Sequence, residues 1–353
     1  MIKRILSVLL VFAMLFSLAA CSSQPTESKE ESRVFVDDAG REVEVPKEIS
    51  RIVPSAAMAQ IILMSLAPEK IVGLTSRLND NSKGFVPERL SDLPYFGSLK
   101  SDGNMNVEEL ALAEPQLIID IGEPKDSLKE RIDALQEQTM IPTVYISFTL
   151  ETAGDTFRKI GELLGEKERG EALAQFCEET YGRAVKIMEE VGDNKKACLY
   201  ILGEEGLNVI AANSYHSELL DMMTDNLAVL ENPISKGSGN EVSMEQISLW
   251  NPEFIIFSSD SIYDTADELP VWEQLNAIAN KNYVEVPEIP FNWMSMPPSV
   301  QRYLGLIWLP AVLYPEYCDY DVETEIKEFF ELFYGVTISD EQFAAITNES
   351  FIK

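Results

Sequence analysis

His216 is the only histidine in the sequence, and it stands in a loop between a predicted strand and a helix. An imidazole in such a place could ligate a metal or titrate near neutrality, or simply cap the helix. Free zinc or manganese sites recruit several His and carboxylate groups together, and no such companions surround His216, so a bare metal ion is disfavoured unless it arrives already chelated. Tyr215, Phe291 and Trp293 could stack on a flat ligand or fill the core. Arg77 and Arg302 stand out in a chain of formal net charge −31. Guanidinium forks pair anionic oxygens bidentately, the alternative being ordinary surface salt bridges. Pro297-Pro298-Ser299 reads as a helix start with Arg302 one turn in, and a helix N-terminus is itself an anion site. GxSxG, HExxH and a Ser/His/Asp order are absent, which leaves a secreted α/β hydrolase as a remote alternative. No Walker loop is present, so no ATP site is expected.

Those residues are carried by a chain whose first segment reads as an export signal. Lys3 and Arg4 precede an apolar run from Ile5 to Ala20, shorter than the roughly 20 residues that span a bilayer. Leu18-Ala19-Ala20-Cys21 resembles the bacterial lipobox, whose cysteine sulfur receives diacylglycerol. The expectation is a signal peptide over 1–20 and a lipidated Cys21. A polar, acidic tether over 21–33 would then hold the body at the outer face of the cell membrane. Loss of Lys3 and Arg4 takes the charge from −31 to −33. That field repels phosphate backbones and anionic lipid heads, so nucleic acid is a poor partner and membrane contact is expected through the lipid alone. Cys177, Cys198 and Cys318 are too few and scattered for a disulfide framework or a metal site and read as structural thiols.

Beyond the tether, Val34-Phe35-Val36 and Val43-Glu44-Val45 flank a turn at Asp38-Ala39-Gly40, a hairpin pattern. Short apolar strands then alternate with helical patterns, which argues for βαβ units with mainly parallel sheets. The spacing predicts an α/β lobe over 34–150 and connecting helices over 151–192, the long one from about Lys167 to Glu190. A second α/β lobe over 193–317 and a helical extension over 318–353, packed on that lobe, complete the chain. Asn106-Val107-Glu108-Glu109-Leu110-Ala111-Leu112 runs on to Pro115 and Leu117-Ile118-Ile119. Ser243-Met244-Glu245-Gln246-Ile247-Ser248-Leu249 runs on to Pro252 and Phe254-Ile255-Ile256. This ordered echo, once on each side of the long helix, implies two lobes of similar construction.

With these residues in place, the chain resembles the substrate-binding proteins of ABC importers for iron chelates, haem and corrinoids. The likeness runs from about Val34 to Pro315, through VFVDDAGREVEVPKEISRIV, the two glutamate-bearing echoes and FNWMSMPPSVQRYLGLIWL. The resemblance implies two Rossmann-like α/β lobes bridged by a single long helix, a monomer without cofactor or enzymatic activity, and a metal chelate as ligand. A molybdate- or tungstate-like oxyanion or a nickel complex is the alternative. It implies that Glu108 and Glu245 dock onto arginines of an ABC permease of two membrane subunits, driven by a cytoplasmic ATPase. The ligand would sit between the lobes, touched by Ser55, Arg77, Gly97, Ser98 and Glu123 from the first. Tyr215, His216, Lys236, Ser258, Phe291, Trp293, Ser299 and Arg302 would contribute from the second, with His216 as a candidate metal ligand.

Overall fold

The computed structural model describes residues 31–100, 105–125 and 128–352; the predicted leader, Cys21 and nearly all of the tether lie outside them. β1 (Ser32–Val36) and β2 (Glu42–Pro46) form the expected antiparallel hairpin, with Phe35 opposite Val43. Its turn is organised by Asp37, whose carboxylate accepts from the Ala39 and Arg41 amides and pairs with the Arg41 guanidinium at 3.1 Å.

The first lobe contains β3 (Ile52–Pro54), α1 (Ala57–Leu66), α2 (Val107–Leu112), β4 (Leu117–Gly122), α3 (Leu128–Thr139) and β5 (Thr143–Ser147). Its sheet is wholly parallel in the order β3-β4-β5. A parallel strand is covered on both faces and therefore reads as a continuous apolar run. β4, LIIDIG, is buried at every position. Asp120 alone breaks its apolar character.

Two helices leave this lobe. α4 (Ala153–Leu164) ends on Gly165 at φ 77°, a left-handed cap that glycine adopts without strain. α5 (Lys167–Val191) is the predicted long connector. The pair cross closely at Gly161 and Gly170, where a Cβ on Gly170 would stand 2.7 Å from the Phe157 carbonyl oxygen.

β6 (Ala197–Leu202), β7 (Asn208–Val209), α6 (Glu218–Met223), β8 (Asp225–Asn226) and β9 (Asn240–Glu241) open the second lobe. α7 (Met244–Trp250), β10 (Phe254–Phe257), α8 (Asn276–Ala279), β11 (Tyr283–Glu285) and α9 (Arg302–Leu313) complete it. The strand order is β11-β10-β6-β7-β9, with β8 beside β6. β11, β10, β6 and β8 run parallel, whereas β7 pairs antiparallel with both β6 and β9. The reversal at β7 follows from Gly203 and Gly206, both at positive φ, which let the chain fold straight back.

The internal echo is structural. Asn106 and Ser243 cap α2 and α7 by accepting from the Glu109 and Gln246 amides, and Leu110 and Ile247 are buried at matching places. Glu114 at φ 42° and Asn251 at φ 43° end the two helices alike, before the central strands β4 and β10.

The C-terminal helices cover more than the second lobe on which they were expected to pack. α10 (Val322–Tyr334) and α11 (Asp340–Ile346) follow α9. Phe330 meets Phe85 of the first lobe, and Phe329 and Phe333 meet Phe157 and Phe176 of the connecting helices. On the second lobe α10 lies against α9, the Tyr320 hydroxyl donates to the Ile307 carbonyl, and the Tyr334 hydroxyl accepts from Gln301 Nε2. The last residues hold there too: the Ser350 carbonyl accepts from Trp308 Nε1, and that of Glu349 from the Glu285 amide. The extension therefore straddles both lobes rather than packing on the second alone. Its phenylalanines join a hydrophobic core that runs unbroken from Val43 to Ile346. Among the described residues, no helix is long and apolar enough to cross a membrane.

Candidate functional site

Parallel strands of both lobes deliver their C-terminal ends to a common cleft, the usual ligand position in such sheets. On the first lobe the organising group is Asp120, fully buried near the end of β4. Its carboxylate accepts from the Ser55 hydroxyl at 2.5 Å and pairs with Lys100 Nζ at 2.5 Å and Arg131 Nη2 at 2.6 Å. One buried anion thus holds two partly exposed cations. Glu123, the residue directly after β4, pairs with Lys125 at 2.7 Å.

The facing wall of the second lobe is built on a short turn, Tyr215–Ser217, fixed by a reciprocal capping box between Ser214 and Ser217. Tyr215 donates its hydroxyl to the Phe148 carbonyl, across the cleft at the end of β5, and comes within 3.7 Å of Met58 Sδ. Beneath its ring lies the Arg302 guanidinium, 5.1 Å from the centroid and wholly buried. Arg302 Nη1 binds Glu218 at 2.6 Å, and the other Glu218 oxygen accepts from the Leu150 amide at 2.8 Å. Arg302 Nε and Nη2 are buried without a hydrogen-bond partner.

His216 is oriented by a chain of contacts that starts at Asn292. The Asn292 side-chain oxygen accepts from the amides of Met294, Ser295 and Met296, folding a tight turn. Its amide nitrogen is anchored on Glu288 and Tyr200. That turn aims the Ser295 carbonyl at His216 Nδ1, 3.0 Å away. A carbonyl can only accept, so Nδ1 carries the proton and Nε2 keeps its lone pair. Burial, reinforced by Arg302 and Lys125 and partly opposed by the Ser295 bond and Glu123, holds the imidazole below its ordinary value of 6.5. The ring is therefore neutral at pH 7. Gly237 lies beside the ring, where a Cβ would make ordinary contact with His216 Cε1 at 3.4 Å.

Among the described residues, no group of three or more His, Cys, Asp or Glu is placed to hold a metal ion. Residues 58–290 match the family model described as periplasmic binding protein. The chain belongs to that family. A solute-binding protein of an ABC transporter from Sulfurospirillum deleyianum superposes with a TM-score of 0.82 at 27% identity, over 90% of this chain and all of that one. A periplasmic solute-binding protein from Veillonella parvula gives 0.74 at 25% identity, over 91% and 98%. The molybdate-bound MolA of Haemophilus influenzae shares the fold, with a TM-score of 0.68 at 21% identity over 87% and 99% of the two chains. No curated protein matches in sequence.

The binding protein brings some of the predicted site residues together and withdraws others. Tyr215, His216 and Glu123 lie within mutual electrostatic reach. Lys236 is exposed in the loop whose next residue, Gly237, abuts His216. Gly97 is buried, Ser98 is half-buried with its hydroxyl turned to the Lys100 amide, and Phe291 is half-buried against the core. Arg77 is exposed and stacks on Tyr95 at 4.3 Å, apart from the cluster. Trp293 is core rather than a stacking platform: it is buried edge-on to Trp308, and its indole donates to the Ile289 carbonyl at 2.8 Å. Ser55, Ser258 and Ser299 are likewise fully buried and present no hydroxyl to a ligand. α9 starts at Arg302, not at Ser299, because Ser299 is taken up in a tight turn onto the Pro297 carbonyl. The predicted helix-start anion site at Ser299 is therefore absent, and Arg302 faces Glu218 and two aromatic rings instead of open cleft. Cys177 and Cys198 are buried free thiols whose ionisation burial pushes upward, as structural thiols require.

Asp120, Lys100, Lys125, Arg131 and Glu218 did not emerge from sequence reasoning. The usable signal was Asp120, a lone carboxylate inside an apolar parallel strand, which needs paired cations to be tolerated there.

Proposed function

We propose that this chain is the extracytoplasmic substrate-binding component of an ABC importer. In this reading it captures an anionic metal chelate between its lobes and hands it to a permease of two membrane subunits. A cytoplasmic ATPase supplies the energy, and lipid on Cys21 keeps the protein near the membrane. The observation that carries the ligand class is His216, a neutral imidazole whose Nδ1 is committed to Ser295 while Nε2 stays free. That is how a protein presents one nitrogen to a metal whose other positions are filled by a chelator. Charge supports the same reading. Lys100, Lys125 and Arg131 outnumber Asp120 and Glu123 on the first-lobe wall of the cleft, in a protein of net charge −31. An anion is favoured there against the net field of a protein this acidic. A molybdate-like oxyanion would profit from the same cations but has no use for a free imidazole nitrogen.

Tryptophan fluorescence titrated with ferric siderophores, haem, cobalamin and molybdate tests this, because Trp293 lies in the loop that carries Ser295. A metal chelate should bind tighter than about micromolar; molybdate as the tightest ligand would replace the chelate assignment with the oxyanion.

The imidazole also sets a pH dependence. Since burial lowers its pKa, His216 stays neutral down to below 6.5 and becomes protonated only as the pH falls further. Protonation fills Nε2, so affinity for a ferric bis-catecholate, which leaves coordination positions open, should be flat above 6.5 and fall below it. His216→Ala should weaken this complex roughly tenfold or more and remove the histidine-dependent step. An unchanged pH profile in the variant would show that His216 is not a ligand.

A further inference from the structure

Leu112 and Leu249 are 81% and 80% exposed, the largest such values among the leucines that stand out on this surface. They occupy equivalent positions of the internal repeat, in α2 of one lobe and α7 of the other. Each stands four residues after a glutamate, Glu108 or Glu245, and i and i+4 share a helix face. The opposite side of each helix is fixed by buried Leu110 or Ile247. Fold requirements thus explain the buried apolar residue of each helix but not the exposed one. Each lobe presents the same pair on its outer surface: a carboxylate with a bare leucine one turn away.

We propose that Leu112 and Leu249 are the apolar anchors of the permease-docking surface, each inserting beside a basic group that its neighbouring glutamate contacts. This rests on the proposed delivery to a permease, with the docking that the resemblance implies for Glu108 and Glu245, and adds a second kind of contact to it. The occupant follows from charge. Glu108 and Glu109 flank Leu112, Glu245 lies on the face of Leu249, and the chain carries −31. A second copy would bring acid against acid, so the complement is a basic surface with apolar recesses. The two elements divide the work: carboxylates steer and orient, while desolvated leucines slow dissociation. The repetition requires the partner to offer such a recess to each lobe.

The test is binding of the mature protein to its own permease–ATPase complex in lipid nanodiscs across a salt series. Leu112→Ser and Leu249→Ser should each weaken the complex roughly tenfold, with the salt slope unchanged. Glu108→Gln and Glu245→Gln should instead flatten the salt slope. Melting temperatures and solute affinity should match the parent in all four, since the side chains are exposed and outside the cleft. Leucine variants that bind within about twofold of the parent, while the glutamate variants weaken, would overturn the anchors and leave the docking glutamates standing. If neither set changes binding, both ideas fail. Sedimentation showing a parent dimer that the leucine variants dissociate would assign the patches to self-association and overturn the proposal.

Discussion

Reversing both exposed glutamates, Glu108→Lys with Glu245→Lys, is expected to abolish ATP-driven uptake while solute affinity stays within about twofold of the parent. Both carboxylates are exposed, each in the first turn of a short helix capped from outside by Asn106 or Ser243. Neither takes part in the hydrogen bonds that shape the cleft. Reversal therefore spares capture and places like charges against a basic partner at two separated points. Like-charge juxtaposition costs several kcal/mol at an interface, so two sites together should reduce productive docking to background. Single reversals should give intermediate uptake and lose their effect as ionic strength screens exposed charge. Uptake assays paired with solute titration separate the steps, and normal transport by the double variant would end the docking role.

Glu218→Ala should produce the largest loss of stability of any single change at the cleft, about 3 kcal/mol. Arg302 is fully buried and Glu218 is its one charged partner, at 2.6 Å. Removing the carboxylate strands a guanidinium that already has two unpartnered nitrogens, and frees the Leu150 amide it accepts from. Because Leu150 begins the connection to α4 and Arg302 begins α9, the pair ties the second lobe to the end of the first. Denaturant unfolding should show a lower midpoint at constant slope. Glu218→Ala combined with Arg302→Met should recover much of the loss, because the cost lies in the uncompensated charge. A double variant no more stable than the single one would show that packing, not charge, is at stake.

Much of this architecture was legible in the sequence because it rests on periodic burial. Leu117-Ile118-Ile119 of β4 and the whole of β10 read as apolar runs, since parallel strands are covered on both faces. The long connector declared itself through charge-rich helical periodicity without proline, and Gly165 marked the break before it. The repeat was legible because capping chemistry is local: Asn106 and Ser243 name a helix start in the same way in either lobe. The antiparallel strands β7 and β9 are only two residues each, too short for alternation to register. The extension misled for another reason. Phe329, Phe330 and Phe333 announce a buried helix face, but periodicity says nothing of which surface covers it, and α1 and the connecting helices share that surface with α9.

At the site, residue type proved a weaker guide than at the core. Trp293 and Ser299 were plausible ligand contacts by position, yet both are spent on holding a turn. That turn is what matters for His216, since Asn292 folds it and Ser295 sets the tautomer. Such indirect roles depend on three-dimensional closure of residues about 80 positions apart in the chain. The cation pair on Asp120 escaped notice similarly: Lys100 and Arg131 have no motif, and only the buried carboxylate unites them.

The most direct measurement of the central claim is calorimetric titration of the mature protein with one chelator in two forms, the ferric bis-catecholate complex and the same chelator without metal. A cleft that offers a neutral imidazole nitrogen to a bound metal, amid surplus positive charge, predicts sub-micromolar affinity for the ferric complex and at least roughly hundredfold weaker binding of the free chelator. Equal affinity for both forms, or tighter binding of molybdate than of any metal chelate, would contradict it.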